Sequence, residues 1–350
     1  MSSMERGPGF VVALVGATGA VGQEMTRLLE TRGFPVREFR PFASERSVGT
    51  TVQLNGRAWP VRALSEGCFD GVELALFSAG ATVSRAWGPK AVAAGALVAD
   101  NSSAWRMDPD TPLVVPEVNP QALPAGPALV AVPNCSTIQM VVALEPLHRR
   151  FGLERVIVST YQSTSGAGAR AMAELESTTR GYLAGTEAPP EKFAHPIAFN
   201  LIPQIADFAS DGFTEEERKM RFETRKIMGL PDLPVVATCV RVPVRRGHSE
   251  MVWARFAQAV DVDEARRVMA AFPGIVVRDD PATRLYPMPR DTAGTDPVYV
   301  GRVRRDPDDP HALVFWVVAD NLLKGAALNA VQIAEAVLLK SGAPAGAGGR

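Results

Sequence analysis

"GFVVALVGATGAVGQEMTRLLETRG", Gly9 to Gly33, decides the fold. Its opening run, GFVVALVG, is short, β-branched and closed by glycine, the pattern of a buried strand. AVGQEMTRLLETRG then sets Val21, Met25 and Leu28/Leu29 along one helical stripe, with Gly33 as a stop. Between them lies GATGAVG, whose Gly16, Gly19 and Gly22 are spaced GxxGxxG. Glycine at such a corner permits a tight turn and lets backbone N–H groups approach a pyrophosphate at a helix N-terminus. A tight turn that binds nothing is the alternative. The strand before and the helix after favour a dinucleotide site, with Gly16, Thr18, Gly19, Ala20 and Val21 as its contacts.

Working outward, VREFRPFAS, VELALFSAG, ALVADNS, PLVVPEV and ALVAVPN follow as short strands, several separated by helical or loop segments. That alternation predicts a doubly wound parallel sheet, an α/β Rossmann-like domain. After Asn134 the pattern changes. STIQMVVALEPLHRRF and AGARAMAELESTTRGYL are helical, RVIVSTYQSTSG is a strand, and longer strands follow in PVVATCVRVPV, HSEMVWARFAQ, VYVGRVRR and ALVFWVVAD. VDEARRVMAAF is a helix among them. A mixed α+β domain is expected there. The closing GAALNAVQIAEAVLL has helical spacing and is expected to return to the first domain. The expected division is 1–134 plus 321–341 for dinucleotide binding, 135–320 for catalysis and dimerisation, and 342–350 as a flexible tail.

A chain of 350 residues with 46% hydrophobic content suits two domains. Its formal net charge of -1 gives no bulk electrostatic reason to bind nucleic acid or an anionic membrane. No apolar run reaches the roughly 20 residues of a membrane span, and the N-terminus lacks a secretory core. Three cysteines cannot all pair, which fits reduced thiols in a cytoplasmic protein. No metal site is expected.

The second strand ends about 20 residues past the glycine loop, where an NAD site often holds an acidic residue for the ribose 2′-hydroxyl. The sequence there is RPFASERSVG. Ser44, Arg46 and Ser47 favour the 2′-phosphate of NADP; Glu45 is the rival that would serve NAD, and Arg46 as a solvated loop charge is the third reading.

Asn134 is a good N-cap, which puts Cys135 at the first helical position, where the helix dipole favours a thiolate and lowers the thiol pKa. A thiolate downstream of a dinucleotide domain suggests nucleophilic attack on a carbonyl. Cys68 and Cys239 lack such a setting and are expected to be structural. An aldehyde would add to the thiolate, hydride would leave to NADP⁺, and phosphate would release the resulting thioester as an acyl phosphate.

GATGAVG, NSSAWR, VPNCST, TYQSTSGAG, FNLIPQI, EEERKM, ETRKIMG, CVRVPVRRGHSE and DNLLKGAA, in that order from about Phe10 to Leu339, resemble the aspartate-semialdehyde dehydrogenase family. The resemblance implies Cys135 as nucleophile and thioester carrier, and Gln162 as the group that orients substrate. It implies Ser165, Gly166 and Asn321 as contacts to the nicotinamide half of the cofactor. It also makes His248 the acid/base group, a role for which a neutral imidazole is suited.

Arg241 lies on an apolar strand and needs a partner. An internal ion pair is one reading; the resemblance implies the substrate carboxylate, gripped bidentately. Thr214 and Glu217 have capping-box spacing, so Glu217 is expected to be structural. Glu216 and Lys219, three apart, would be a solvated ion pair on the residues alone. The resemblance implies instead that Glu216 binds the substrate amino group and Lys219 the phosphate, and that Arg106 also binds phosphate. The family further implies NADP(H) as cofactor, a small-molecule substrate with inorganic phosphate, and a homodimer or homotetramer. Two rivals stand beside this reading: another acyl-phosphate reductase, such as an N-acetyl-glutamyl-phosphate reductase, and a catalytically silent nucleotide-binding relative.

Overall fold

The computed structural model describes residues 9–186 and 189–339; the tail expected over 342–350 lies outside them. Two compact units are present. One runs to Val132 and takes up the chain again from Ala327; the other is Pro133–Ala326. Residues 321–326, expected with the nucleotide domain, therefore belong to the second unit.

The first unit holds β1 (Phe10–Val15), α1 (Ala20–Thr31), β2 (Val36–Phe42), β3 (Thr51–Leu54), β4 (Arg57–Pro60), β5 (Leu74–Phe77), α2 (Ala81–Ala93), β6 (Leu97–Asp100) and β7 (Leu129–Ala131). Five strands form a parallel sheet in the order β2-β1-β5-β6-β7. Chain order reverses beside β1, so the loops after β1 and β5 flank a topological switch point, where α/β sheets bind ligands. Gly16 follows β1 at φ +93, and a Cβ there would lie 2.5 Å from the Ser78 carbonyl oxygen. A Cβ at Gly22 would lie 2.2 Å from the Gly16 carbonyl oxygen. Both glycines are thus required by backbone passing backbone.

Two expectations change in this unit. PLVVPEV is not a strand; it makes one isolated bridge, Leu113 to Ala131. Prolines interrupt its ladder donors, and the Asn119 side chain takes over, accepting from Val115 N and donating to Leu113 O, both at 2.9 Å. The β3–β4 hairpin was not foreseen. Its turn is Asn55-Gly56, both at positive φ (52° and 71°), the dipeptide such a turn favours. The closing helix, Leu328–Ala334, is continued at both ends by π turns, Leu323–Ala327 and Glu335–Leu339.

The second unit holds α3 (Cys135–Phe151), β8 (Leu153–Gln162), α4 (Ala169–Ala184), α5 (Glu215–Met228), β9 (Val235–Arg241), β10 (His248–Phe256), α6 (Val262–Ala270), β11 (Ile275–Val277), β12 (Val298–Arg305) and β13 (Ala312–Ala319). Its six-stranded mixed sheet has the order β11-β12-β13-β10-β8-β9. Alternation is strict in β9 and sets in past Ser249 in β10: Val235, Ala237, Cys239 and Arg241, and His248, Glu250, Val252 and Ala254, are buried on one face, while Ser249 is buried on the other. The other face leaves Ile157 and Val236 exposed, with Tyr161, Met251, Trp253 and Trp316 half-buried.

Candidate active site

The site is assembled by strand register. Gln162 on β8 pairs directly with Arg241 on β9, and Ser249 on β10 pairs with Tyr161, so His248 stands beside Gln162 across the next strand. Because side chains alternate faces, His248, Gln162 and Arg241 project from one row on the buried face. One row further along, Glu250 pairs with Thr160, and Thr160 with Cys239. This lower row supports the upper one: Thr160 Oγ1 donates to Gln162 Oε1 at 3.0 Å.

Cys135 opens α3 and is partly accessible. Asn134 caps the helix, its Oδ1 accepting from Ser136 N at 3.0 Å and Thr137 N at 3.3 Å. The same side chain donates from Nδ2 to Glu216 Oε1 at 2.9 Å, while its backbone N–H donates to Glu223 Oε2 at 2.6 Å. Gly325 passes so close to Cys135 that a Cβ there would lie 2.8 Å from the cysteine Cβ.

Glu216 is no solvated ion pair. It is buried, and its Oε1 also accepts from Gln162 Nε2 at 3.0 Å while Oε2 accepts from Lys219 Nζ at 3.2 Å. Burial pushes this carboxyl upward, but the Lys219 charge and the bonds from Gln162, Asn134 and Lys219 outweigh it and hold the pKa below the ordinary value. Glu217 completes the capping box with Thr214 and accepts from Cys239 N at 2.9 Å, a structural role. Arg241 is buried; Nη1 donates to Ser163 O at 2.6 Å, and its guanidinium faces the Phe193 ring at 5.9 Å. Burial lowers its pKa against the opposing influence of Glu216 and Cys135.

His248 is fully buried. Burial and the nearby Arg241 charge push its pKa down to about 3, so the imidazole is neutral. Nδ1 accepts from Ser163 N at 3.1 Å, which leaves the ring hydrogen on Nε2. Nε2 has no hydrogen-bond partner and lies 3.1 Å from where a Cβ on Gly166 would stand; Arg241 Nη1 would be 3.2 Å from it. Gly166 therefore keeps open the space these two groups share.

Asn321 Oδ1 accepts from Ser165 Oγ at 2.8 Å, Ser163 Oγ at 3.2 Å and Gly247 N at 3.0 Å. It ties the 163–166 turn to the start of β10. Among the other histidines, His148 closes α3 by accepting from Leu153 N, and His311 sits in a turn. Cys239 is buried, and burial pushes its thiol pKa up. Reading the sequence alone missed Ser163, Glu223 and Gly325. Only the glycine next to Lys324 carried a signal, as a small residue inside a helical run.

In the first unit, Thr18 Oγ1 lies 3.4 Å from Ser47 Oγ, joining the glycine loop to the segment after β2. Ser44 precedes the helical turn Glu45–Ser47 without a capping bond from its side chain, and Glu45 and Arg46 on that turn are both exposed. Arg106 is buried there, with Nε donating to Val132 O at 2.9 Å and Nη2 to Asn101 O at 3.1 Å. Trp105 Nε1 donates to Ser84 Oγ at 2.9 Å. Among the described residues, no group of three or more histidine, cysteine or carboxylate side chains could hold a metal, and no helix is long and apolar enough to cross a membrane.

A dinucleotide-type parallel sheet in one unit, with a second unit whose helix α3 opens on Cys135 and whose mixed sheet sets His248 and Arg241 in one row, is the plan of a nicotinamide-dependent oxidoreductase. Residues 11–125 match the semialdehyde dehydrogenase NAD binding domain, and residues 144–324 match the semialdehyde dehydrogenase dimerisation domain. Aspartate-semialdehyde dehydrogenase of Aquifex aeolicus is 51% identical over 95% of this chain and 99% of its own. That of Bacillus subtilis is 50% identical over 95% and 98%. The chain belongs to the aspartate-semialdehyde dehydrogenase family. Aspartate semialdehyde dehydrogenase II of Vibrio cholerae, solved in complex with ASA, superposes with a TM-score of 0.92 at 46% identity, covering 95% of this chain and 98% of that one. The Candida albicans enzyme, solved with NADP, gives 0.73 at 26%, covering 95% and 99%.

Proposed function

We propose that the protein catalyses L-aspartate 4-semialdehyde + phosphate + NADP⁺ ⇌ L-4-aspartyl phosphate + NADPH + H⁺, running reductively to feed lysine, methionine and threonine biosynthesis in the cytoplasm. One observation carries the reading: His248, Gln162 and Arg241 share a row whose Gln162 is bonded, through Glu216, to the cap of the helix that starts at Cys135.

In the reductive direction Cys135 attacks the acyl phosphate carbonyl, phosphate leaves, and a thioester remains on sulfur. Bound NADPH supplies the hydride that reduces this thioester to the hemithioacetal level. His248 Nε2–H is the donor for the oxygen on which charge develops, and the sulfur–carbon bond then breaks to release aldehyde. Arg241 grips the substrate α-carboxylate. Glu216, held anionic by its neighbours, receives the amino group, and Gln162 fixes the reacting carbon. Lys219 and Arg106 serve the phosphate. Thr18, Ala20, Val21 and the three loop glycines cradle the pyrophosphate, and Ser44, Arg46 and Ser47 take the 2′-phosphate. Ser165, Gly166 and Asn321 form the wall at the nicotinamide. The outward face of the mixed sheet, with Ile157, Tyr161, Met251 and Trp316, is the surface through which two copies form a homodimer.

The test is phosphate-dependent NADPH formation from L-aspartate 4-semialdehyde, with N-acetylglutamate semialdehyde as the competing aldehyde, for wild type and Cys135→Ala. Turnover that needs phosphate, prefers the first aldehyde and vanishes in the variant is expected. A variant that also loses NADPH binding would make Cys135 structural. Preference for the second aldehyde, or no turnover despite NADPH binding, would favour one of the two rival readings.

A further inference from the structure

His248 pairs with Ala319 at the end of the β10–β13 ladder. Just past that last pair, Arg246 Nε donates to Asp320 Oδ2 at 2.6 Å, and Gly294 N donates to the same oxygen at 2.6 Å. Asp320 Oδ1 accepts from Leu322 N at 2.9 Å and Leu323 N at 3.3 Å, and the Asp320 backbone oxygen accepts from Gly325 N at 3.2 Å. The Asp320 side chain has no exposed surface. Each carboxyl oxygen carries two donors, so the buried group is both paired and hydrogen-bonded. One side chain thus joins three stretches: the approach to the strand of His248, the 289–294 turn and the 322–325 turn. The last of these lies on Cys135, where Gly325 passes too close for any side chain to fit between.

We propose that Asp320 is a positioning residue: through Arg246 on one oxygen and the 322–325 turn on the other, it sets where His248 and Cys135 stand relative to each other. Asp320 touches no reacting atom; it acts through the two segments it holds. The inference rests on the assignment of Cys135 and His248 as the reacting pair, and its consequence is confined to their mutual placement.

Asp320→Asn tests it. The variant keeps an oxygen for the Leu322 and Leu323 N–H groups, but sets an amide NH2 against Arg246 Nε and Gly294 N, donor against donor. At a temperature where circular dichroism shows the variant folded, we expect kcat to fall about 10- to 100-fold with KM for the aldehyde within about 3-fold, since misplacement of reacting groups costs on that scale. In a His248→Gln background the same substitution should cost less than about 3-fold, because the placement it disturbs no longer serves an imidazole; a loss of general stability would cost the same in both backgrounds. The rate of Cys135 alkylation by iodoacetamide should change by about 3-fold or more as the 322–325 turn shifts on the thiol. Arg246→Gln should act in the same direction in all three measurements, and serves if Asp320→Asn does not fold. Wild-type kcat in both variants, equal losses in both backgrounds, or an unchanged alkylation rate would overturn the proposal. Alkylation needs no turnover, so failure of the proposed reaction would be seen separately.

Discussion

The Ser163 backbone N–H donates to His248 Nδ1 at 3.1 Å, and this one bond decides which ring nitrogen faces the reaction. With Nδ1 occupied as an acceptor, the hydrogen sits on Nε2, and the resting imidazole is a donor rather than a base for the thiol. His248→Gln can keep an N–H near that position, whereas His248→Ala cannot. Glutamine should therefore retain more kcat than alanine, which should lose about 10²- to 10³-fold. Equal losses in steady-state kinetics would mean that the imidazole works as a base.

The same histidine makes stability pH-dependent. Its pKa is about 3 when folded, against an ordinary 6.5, so between these values the unfolded chain binds the extra proton. Its stabilising contribution is complete above about pH 6.5 and is lost as pH falls toward 3, at up to about 1.4 kcal/mol per pH unit. Urea unfolding of wild type and His248→Gln between pH 7 and 5 should show the steeper acid loss in wild type. Parallel curves would contradict the buried neutral ring.

Glu216 anchors two amides and an ammonium. Glu216→Ala would strand the Asn134 and Gln162 amides in a buried place, and should cost about 2–4 kcal/mol in denaturant unfolding. Glu216→Gln keeps an acceptor oxygen, so most of the stability should return while KM for the aldehyde stays raised. A glutamine variant with normal KM would separate Glu216 from substrate binding.

Gly166→Ala is a probe of space. The backbone there is not in the left-handed region, so the fold should survive with a melting temperature near wild type. The new methyl would press on His248 Nε2 and Arg241 Nη1, and kcat/KM should drop about 10- to 100-fold. Wild-type activity would show that neither group needs its present position.

Local signals made much of this molecule legible. The glycine loop, the Asn134 cap and the Thr214–Glu217 capping box lie within a few residues each, and each was found from its own segment. What was hidden depends on register. Gln162, Arg241 and His248 lie on three strands, and only their pairing makes them neighbours. Glu216 looked like half of a surface ion pair because its second and third partners, Asn134 and Gln162, are distant in the chain. PLVVPEV imitated a strand in composition, but a side-chain amide had replaced the ladder. The roles assigned to individual site residues came from family resemblance, which spacing alone would not have supplied.

Asn321 offers one carbonyl oxygen to Ser163, Ser165 and Gly247, so two separate stretches of chain share a single acceptor. Backbone bonds from Thr164 N to Val244 O and from Ser165 N to Arg245 O, and the bond from Ser163 N to His248 Nδ1, tie the turn to the same neighbourhood. Local opening there should be all-or-none, with the amides of the 163–166 turn and of Gly247 exchanging hydrogen in concert rather than one by one. The active site would then behave as one cooperative unit in time, either wholly assembled or wholly released.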